Sequence, residues 1–217
     1  VFDPRTTERT FFMVMLPSVA EVLSMDLHNI LMRSSKLRFY IGPLDRRDLR
    51  AGLRQGEPEL ALMREPVEAP GCRSELLCSE KVVMAARQRH PAITGPVTWD
   101  VYAGLDHVVL GLSHPTEQSL VDREFERRRV KRSVPMAMPT ASALLNVVEN
   151  TNLVLTLGEL TASRFAARYN VEIHALPLSE STVPLIMNWH ERYDNDRGHV
   201  WLRDQLRSLF RTRPAEE

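Results

Sequence analysis

The spacing of apolar positions changes along the chain, and the changes predict alternating strands and helices. FFMVML (11–16) is an unbroken apolar run of strand length. After it, Val19, Val22, Leu23, Leu27, Ile30 and Leu31 recur at helical spacing, and Pro17-Ser18 suits the first turn of that helix. LRFYIGPL (37–44) predicts a second strand. DRRDLRAGLRQG (45–56) predicts a short polar helix closed by Gly56, and PELALM (58–63) a third strand. Strand, helix, strand, helix, strand over 11–63 is the pattern of a parallel sheet flanked by helices.

SELLCSE and KVVMAARQ predict two more strands, followed by the turn RHPAITGP and a short helix over 98–104. The alternation then restarts. Strands are predicted at HVVLGL (107–112), SVPMAMP (133–139), NLVLTL (152–157) and VEIHALPL (171–178). Helices are predicted at TEQSLVDREFERRR (116–129) with Thr116 as N-cap, at ASALLNVVEN (141–150) with Thr140 as N-cap, and at ELTASRFAARY (159–169) after Gly158. STVPLIMNWHER (181–192) predicts a returning strand. Crossovers are expected near 84–90 and 178–188, which assigns 1–88 plus 181–217 to one lobe and 89–180 to the other. The fold class is α/β, with two Rossmann-like lobes.

The stretch WHERYDNDRGHVWLR (189–203) concentrates aromatic, histidine and charged residues. Asp194 or Asp196 can cap a helix there, and Trp201, Leu202, Leu206, Leu209 and Phe210 make one apolar face. The aromatics read as core and the charges as the solvated face. His190 and His199 stand nine residues apart and match no metal spacing, so no metal is expected, and no cofactor. The basic run 127–132 reads as a solvated helix end.

Charge narrows the partners. The 217 residues carry 28 basic and 28 acidic side chains, a formal balance of zero. That argues against this chain alone gripping a polyphosphate backbone. Cys72 and Cys78, on one strand, would stand about 20 Å apart, too far for a disulfide. A reducing, cytoplasmic setting is expected, and no apolar run reaches the ~18 residues of a membrane span. The chain begins at Val1, so an upstream segment is expected.

Several motifs resemble the effector-binding domain of LysR-type transcriptional regulators. The tail W-H-x-R-Y-x-x-D-x-G-H-x-W-L-R is similar to that domain's end, and F-D-P-R-x-x-x-R-T-F (2–11) to its start. Between them, LRQGEPELAL (53–62) resembles the family's "G-x-x-D-L-A" segment, with Glu59 in place of Asp. H-P (90–91), D-H-V (106–108) and N-T-N-L-V-L-T (150–156) fall in the family's order. The likeness covers essentially the whole chain and is strongest to the branch sensing aromatic acids and flavonoids.

The resemblance implies a fold like type 2 periplasmic binding proteins, with a hinge and an effector cleft between the lobes. It implies promoter binding through an upstream winged helix-turn-helix, and homodimers or homotetramers pairing through helices and edge strands. Departures stand at the expected site. Leu16 and Pro17 replace the branch's common Ser or Thr followed by Asp, Gly158 replaces a frequent Pro, and Ala141 a common aromatic.

Ligands of open parallel sheets bind at the carboxyl ends of strands, where the following helices aim N–H groups and positive dipole ends. Four such junctions occur: Leu16-Pro17-Ser18, Ser113-His114-Pro115-Thr116, Met138-Pro139-Thr140 and Thr156-Leu157-Gly158. A small anion, in particular a carboxylate, suits them. The candidate effector-binding residues are Pro17, Ser18, Arg64, Ser113, His114, Thr140, Thr156 and His190. Six of them have a plain alternative: helix capping for Ser18 and Thr140, an ion pair with Glu65 or solvent for Arg64, loop capping for Ser113 and His114, and tail-holding for His190.

Two other functions fit parts of the pattern. A solute-binding transport protein shares the architecture. A hydrolase would use G-L-S-H-P (111–115) as a degenerate nucleophile elbow, with Asp194 and His199 downstream. Pro115 in place of the second glycine disfavours it, and no catalytic residue is expected.

Overall fold

The computed structural model describes residues 2–34, 36–43, 48–111, 119–178 and 181–211. The chain divides into two compact units, Val1–Ser79 with Pro184–Glu217, and Glu80–Val183. In chain order the elements are β1 (Arg9–Met15), α1 (Pro17–Leu31), β2 (Leu37–Pro43), α2 (Leu49–Gln55), β3 (Leu60–Met63), β4 (Cys72–Arg87), α3 (Trp99–Ala103) and β5 (Asp106–Leu110). They continue with α4 (Leu120–Arg127), β6 (Ser133–Met138), α5 (Ala141–Glu149), β7 (Val154–Gly158), α6 (Glu159–Phe165), β8 (Val171–Ala175), β9 (Thr182–His190) and α7 (Arg197–Arg211). Among the described residues no helix is long and apolar enough to cross a membrane.

In the first unit β1 lies between β2 and β3, parallel to both, and β9 runs antiparallel on the far side of β3. Period-two burial follows from this. Phe11, Met13 and Met15 face one side, where Phe11 stacks on Trp201 of α7 at 6.1 Å. Val14, Ala61 and Met63 face the other, packing with Leu49 and Leu53 of α2. Helix α1 buries Val19, Val22, Leu23, Leu27 and Ile30, five of the six positions of the predicted stripe, while Leu31 is half-buried. Helix α7 buries Leu202, Leu206 and Phe210, roughly 1.5–3 kcal/mol each.

In the second unit β4 pairs antiparallel with β7 and with β8, while β5 runs parallel to both β7 and β6. One face packs Met84 and Val154 against Tyr102 of α3 and Val121 and Phe125 of α4. Helix α5 buries Ala141, Leu144, Leu145 and Val148.

Three expectations change. SELLCSE and KVVMAARQ are one sixteen-residue strand, β4, which passes from the first unit to the second at Ser79–Glu80. No Gly, Pro or Asn interrupts it, so nothing forces a turn. The first division therefore falls before the expected 84–90, and the returning division falls at Val183–Pro184. Helix α4 starts at Leu120, capped by Ser119 in a reciprocal box with Asp122; Thr116 lies outside the described residues. The predicted 159–169 helix tightens into a 3-10 turn over Ala166–Arg168.

Candidate functional site

In the first unit Met15 stands opposite Leu62, so the chain leaves β1 and β3 at neighbouring carboxyl ends. Leu16 is the N-cap of α1, with extended backbone and no side-chain capping bond. Its N–H donates to the Leu62 carbonyl at 3.2 Å, and its own carbonyl accepts from Val19 and Ala20. Pro17 is exposed and brings no N–H; Ser18 is buried behind it. Arg64, half-buried just past β3, donates to the Pro184 carbonyl at 3.2 Å. Pro17, Ser18 and Arg64 therefore share one edge of this sheet.

His190 does not join them. Met63 pairs with Ile186, so His190 is four residues further along β9, roughly 13 Å toward the opposite end of the sheet. Its Nδ1 accepts from the Arg192 N–H at 3.2 Å. Its ring fills the space beside Gly71, whose φ of +75° favours glycine and where a Cβ would lie 2.6 Å from Nε2.

In the second unit β5, β6 and β7 end nearly level, since Val109 pairs with Ala137 and Val108 with Leu155. Thr140 is the N-cap of α5 but makes no side-chain capping bond. The Thr156 hydroxyl is held 2.7 Å from the Tyr102 phenol. At the β7–α6 turn the Leu160 N–H donates to Oε2 of buried Glu80 at 2.8 Å. Ser113 and His114, with the rest of their junction, lie outside the described residues.

The stretch 189–203 makes a different polar centre in the first unit. Asp196 accepts the His199 N–H at 2.8 Å, which caps α7. Arg9, at the start of β1, bridges Glu59 at 2.9 Å and Asp196 at 3.2 Å. His199 donates from Nε2 to the Glu59 carbonyl at 3.1 Å, and Arg203 donates to its Nδ1 at 2.8 Å. Arg203 also donates to the Tyr193 and Asp194 carbonyls and lies 4.6 Å over the Trp189 ring. Burial, with the Arg203 charge, lowers the His199 pKa to about 4. Burial pushes the Glu59 carboxyl up against the pull of Arg9. In the second unit His107, fully buried and donating to the Tyr102 carbonyl, is likewise lowered to about 4 by burial and Arg132.

The sequence offers Asp194 or Asp196 as a cap and shows Arg9 and Glu59 as motif positions, but it does not bring those two together and does not mark Glu80. An Asp ahead of an apolar helical face marks a cap locally, but nothing local marks a partner fifty or more residues away. With both ring nitrogens engaged, His199 has none to offer a Ser113 nucleophile. Among the described residues no group of three or more His, Cys, Asp or Glu could hold a metal ion.

The profile of the LysR substrate binding domain family matches residues 7–211. The chain is 27% identical to the HTH-type transcriptional activator NagR of Ralstonia sp, over 96% of this chain and 69% of that protein. It is 24% identical to the HTH-type transcriptional regulator LeuO of Escherichia coli K12, over 96% of this chain and 66% of that one. The fold is similar to the regulatory domain of MexT, a transcriptional activator of Pseudomonas aeruginosa, with a TM-score of 0.81 and 20% identity over 93% of this chain and all of that one.

Proposed function

This chain belongs to the LysR substrate-binding domain family, the regulatory domain of LysR-type transcription regulators, and from that premise we propose that it senses a small carboxylate. The observation that carries this reading is the pairing of Arg64 with the start of α1 on one sheet edge. Helix α1 is fifteen residues long and its N-cap has no side-chain acceptor. Its dipole favours an anion by about 0.3–1 kcal/mol, and up to ~2 when partly buried. A guanidinium adds a charge-assisted hydrogen bond and matches a carboxylate's two oxygens. In the second unit Thr140 and Thr156, with Ser113 and His114, are proposed effector residues in their own right; His190 is left out because it sits at the other end of its sheet.

The full-length regulator reads promoter DNA through a separate helix-turn-helix domain and acts as a homo-oligomer. The carboxylate acts by binding one arrangement of that oligomer more tightly than another. A thermal-shift series with acetate, succinate, benzoate and salicylate tests the reading. A true effector raises the midpoint in proportion to the logarithm of its excess over Kd, about 2.7 kcal/mol at a hundredfold excess. The Arg64→Ala variant keeps its fold and loses the response. If no acid shifts the wild type, the carboxylate reading fails; a shift intact in Arg64→Ala removes Arg64 as the anchor.

A further inference from the structure

Strand β3 ends at Met63, where the chain bends at Arg64–Glu65 and folds back over the face that carries Ala61. Asn188 of β9 grips that bend from within the first unit. It stands opposite Ala61 and is fully buried. Its Oδ1 accepts the Val67 N–H at 2.8 Å and the Ser74 hydroxyl at 2.6 Å. Its Nδ2 donates to the Glu65 carbonyl at 3.3 Å and to the Ile186 carbonyl at 3.4 Å. Both acceptor sites and both hydrogens of the carboxamide are therefore in use. By satisfying the carbonyl of one residue and the N–H two residues on, the carboxamide takes the place of a neighbouring strand where the chain has left the ladder. Val67 is buried with Leu49, Leu53, Ala61 and Met63, which holds the far end of the bend against the sheet. Arg64 lies at the near end. Its guanidinium donates to the Pro184 carbonyl at 3.2 Å, four residues before Asn188 on β9.

We infer that Asn188 is a positioning residue for the proposed effector site: it fixes the Arg64 bend on β9, so that the guanidinium is placed before a carboxylate arrives. The ligand half of this inference rests on the reading of Arg64 as the carboxylate's anchor; the placing of Arg64 by Asn188 does not. An arginine gives up rotamer freedom when it is immobilised, and a loose bend would add backbone freedom to that loss. With the bend clamped by Asn188 and the guanidinium held at Pro184, much of this ordering is complete in the folded protein. Asn188 acts only through Arg64. An alanine there leaves the Val67 N–H and the Glu65 carbonyl without this partner, and Arg64 shifts with the bend that carries it.

The experiment separates the two. Thermal midpoints without ligand are measured for wild type, Asn188→Ala, Arg64→Ala and the double variant. Arg64→Ala removes the bond to Pro184 and lowers the wild-type midpoint by about 2 °C. In Asn188→Ala, where the guanidinium is no longer placed, the same change lowers it by much less. Equal losses in the two backgrounds overturn the positioning role. Dissociation constants for benzoate and salicylate are then measured by calorimetry. Leu206→Ala serves as the comparison, a buried residue of α7, which packs on the opposite face of the sheet, so it reports lost stability alone. Asn188→Ala binds about tenfold more weakly, while Leu206→Ala binds as wild type does. Undiminished affinity in Asn188→Ala overturns the proposal, and so does an equal weakening in Leu206→Ala. Should Asn188→Ala fail to fold, Asn188→Ser, whose hydroxyl is too short to reach both Glu65 and Val67, carries both comparisons. A wild type that binds neither acid, with the Arg64→Ala and Asn188→Ala losses still coupled, sinks the carboxylate reading and leaves Asn188 as the residue that places Arg64.

Discussion

Arg203 donates to Nδ1 of His199 across 2.8 Å, one helical turn back along α7. That nitrogen must therefore offer a lone pair, and Nε2, facing the Glu59 carbonyl at 3.1 Å, must carry the hydrogen. A protonated ring would point an N–H at a guanidinium, so folding selects neutral His199. Its folded pKa of about 4 lies below the ordinary 6.5, so the unfolded chain takes up the proton first. Stability is complete above about pH 6.5 and is lost as the pH falls toward 4. The difference between 6.5 and about 4 corresponds to roughly 3 kcal/mol. His107 adds a loss of the same sign and window in the second unit. Glu59 offsets part of it, because burial raises its carboxyl and folding favours its protonated form. Denaturant unfolding at pH 7.5, 5.5 and 4.5 should show the decline, flattened in His199→Gln and in His107→Gln. Equal stability at pH 7.5 and pH 4.5 would contradict it, as would nitrogen chemical shifts reporting an Nδ1–H tautomer at His199.

Arg203 holds more than the imidazole. Its guanidinium also satisfies the Tyr193 and Asp194 carbonyls and covers the Trp189 ring. Lysine keeps the charge but cannot form this fork. We expect Arg203→Lys to lose most of what Arg203→Ala loses, on the order of 2–4 kcal/mol, because several partly buried acceptors lose their donor. Unfolding midpoints at pH 7.5 check this; a lysine variant within about 0.5 kcal/mol of wild type would show that charge alone matters.

What could be seen in the chain beforehand follows from range. Val19, Val22, Leu23, Leu27 and Ile30 are spaced by α1's own geometry, so the stripe is visible in one window and is buried as expected. The strand-ending turns at Leu16 and Thr140 were visible for the same reason. The crossing of β4 was not, because a strand that changes units has no breaking residue at Ser79–Glu80. Ser119, not Thr116, caps α4, because Asp122 three residues on completes the capping box. Arg9, Glu59 and His199 meet only once the sheet and α7 have formed.

His190 and Gly71 give a test of what the tail histidine does. Gly71 has a left-handed φ of +75° and lies against the ring. Gly71→Ala is strained by its backbone and by the histidine together, a cost of more than about 1 kcal/mol. His190→Ala should lower stability while leaving the midpoint gain from a bound acid unchanged. A variant of normal stability that no longer responds to the acid would restore His190 to the binding set.

Thr156 and Tyr102 decide whether a proposed effector residue is free to bind. The phenol is fully buried and its oxygen lies 2.7 Å from the threonine hydroxyl. Thr156→Val keeps the shape and strands the phenol, which should cost about 1–3 kcal/mol. Tyr102→Phe leaves the smaller hydroxyl, on a half-buried residue, to find water and should cost less. The double variant removes both partners and should be no worse than Thr156→Val alone, with a coupling of at least about 0.5 kcal/mol. If the two losses simply add, the contact is incidental and Thr156 is available to a ligand. If they couple and the acid response survives in Thr156→Val, the hydroxyl belongs to the core, and the effector's hydrogen bonds in this unit come from the Thr140 junction.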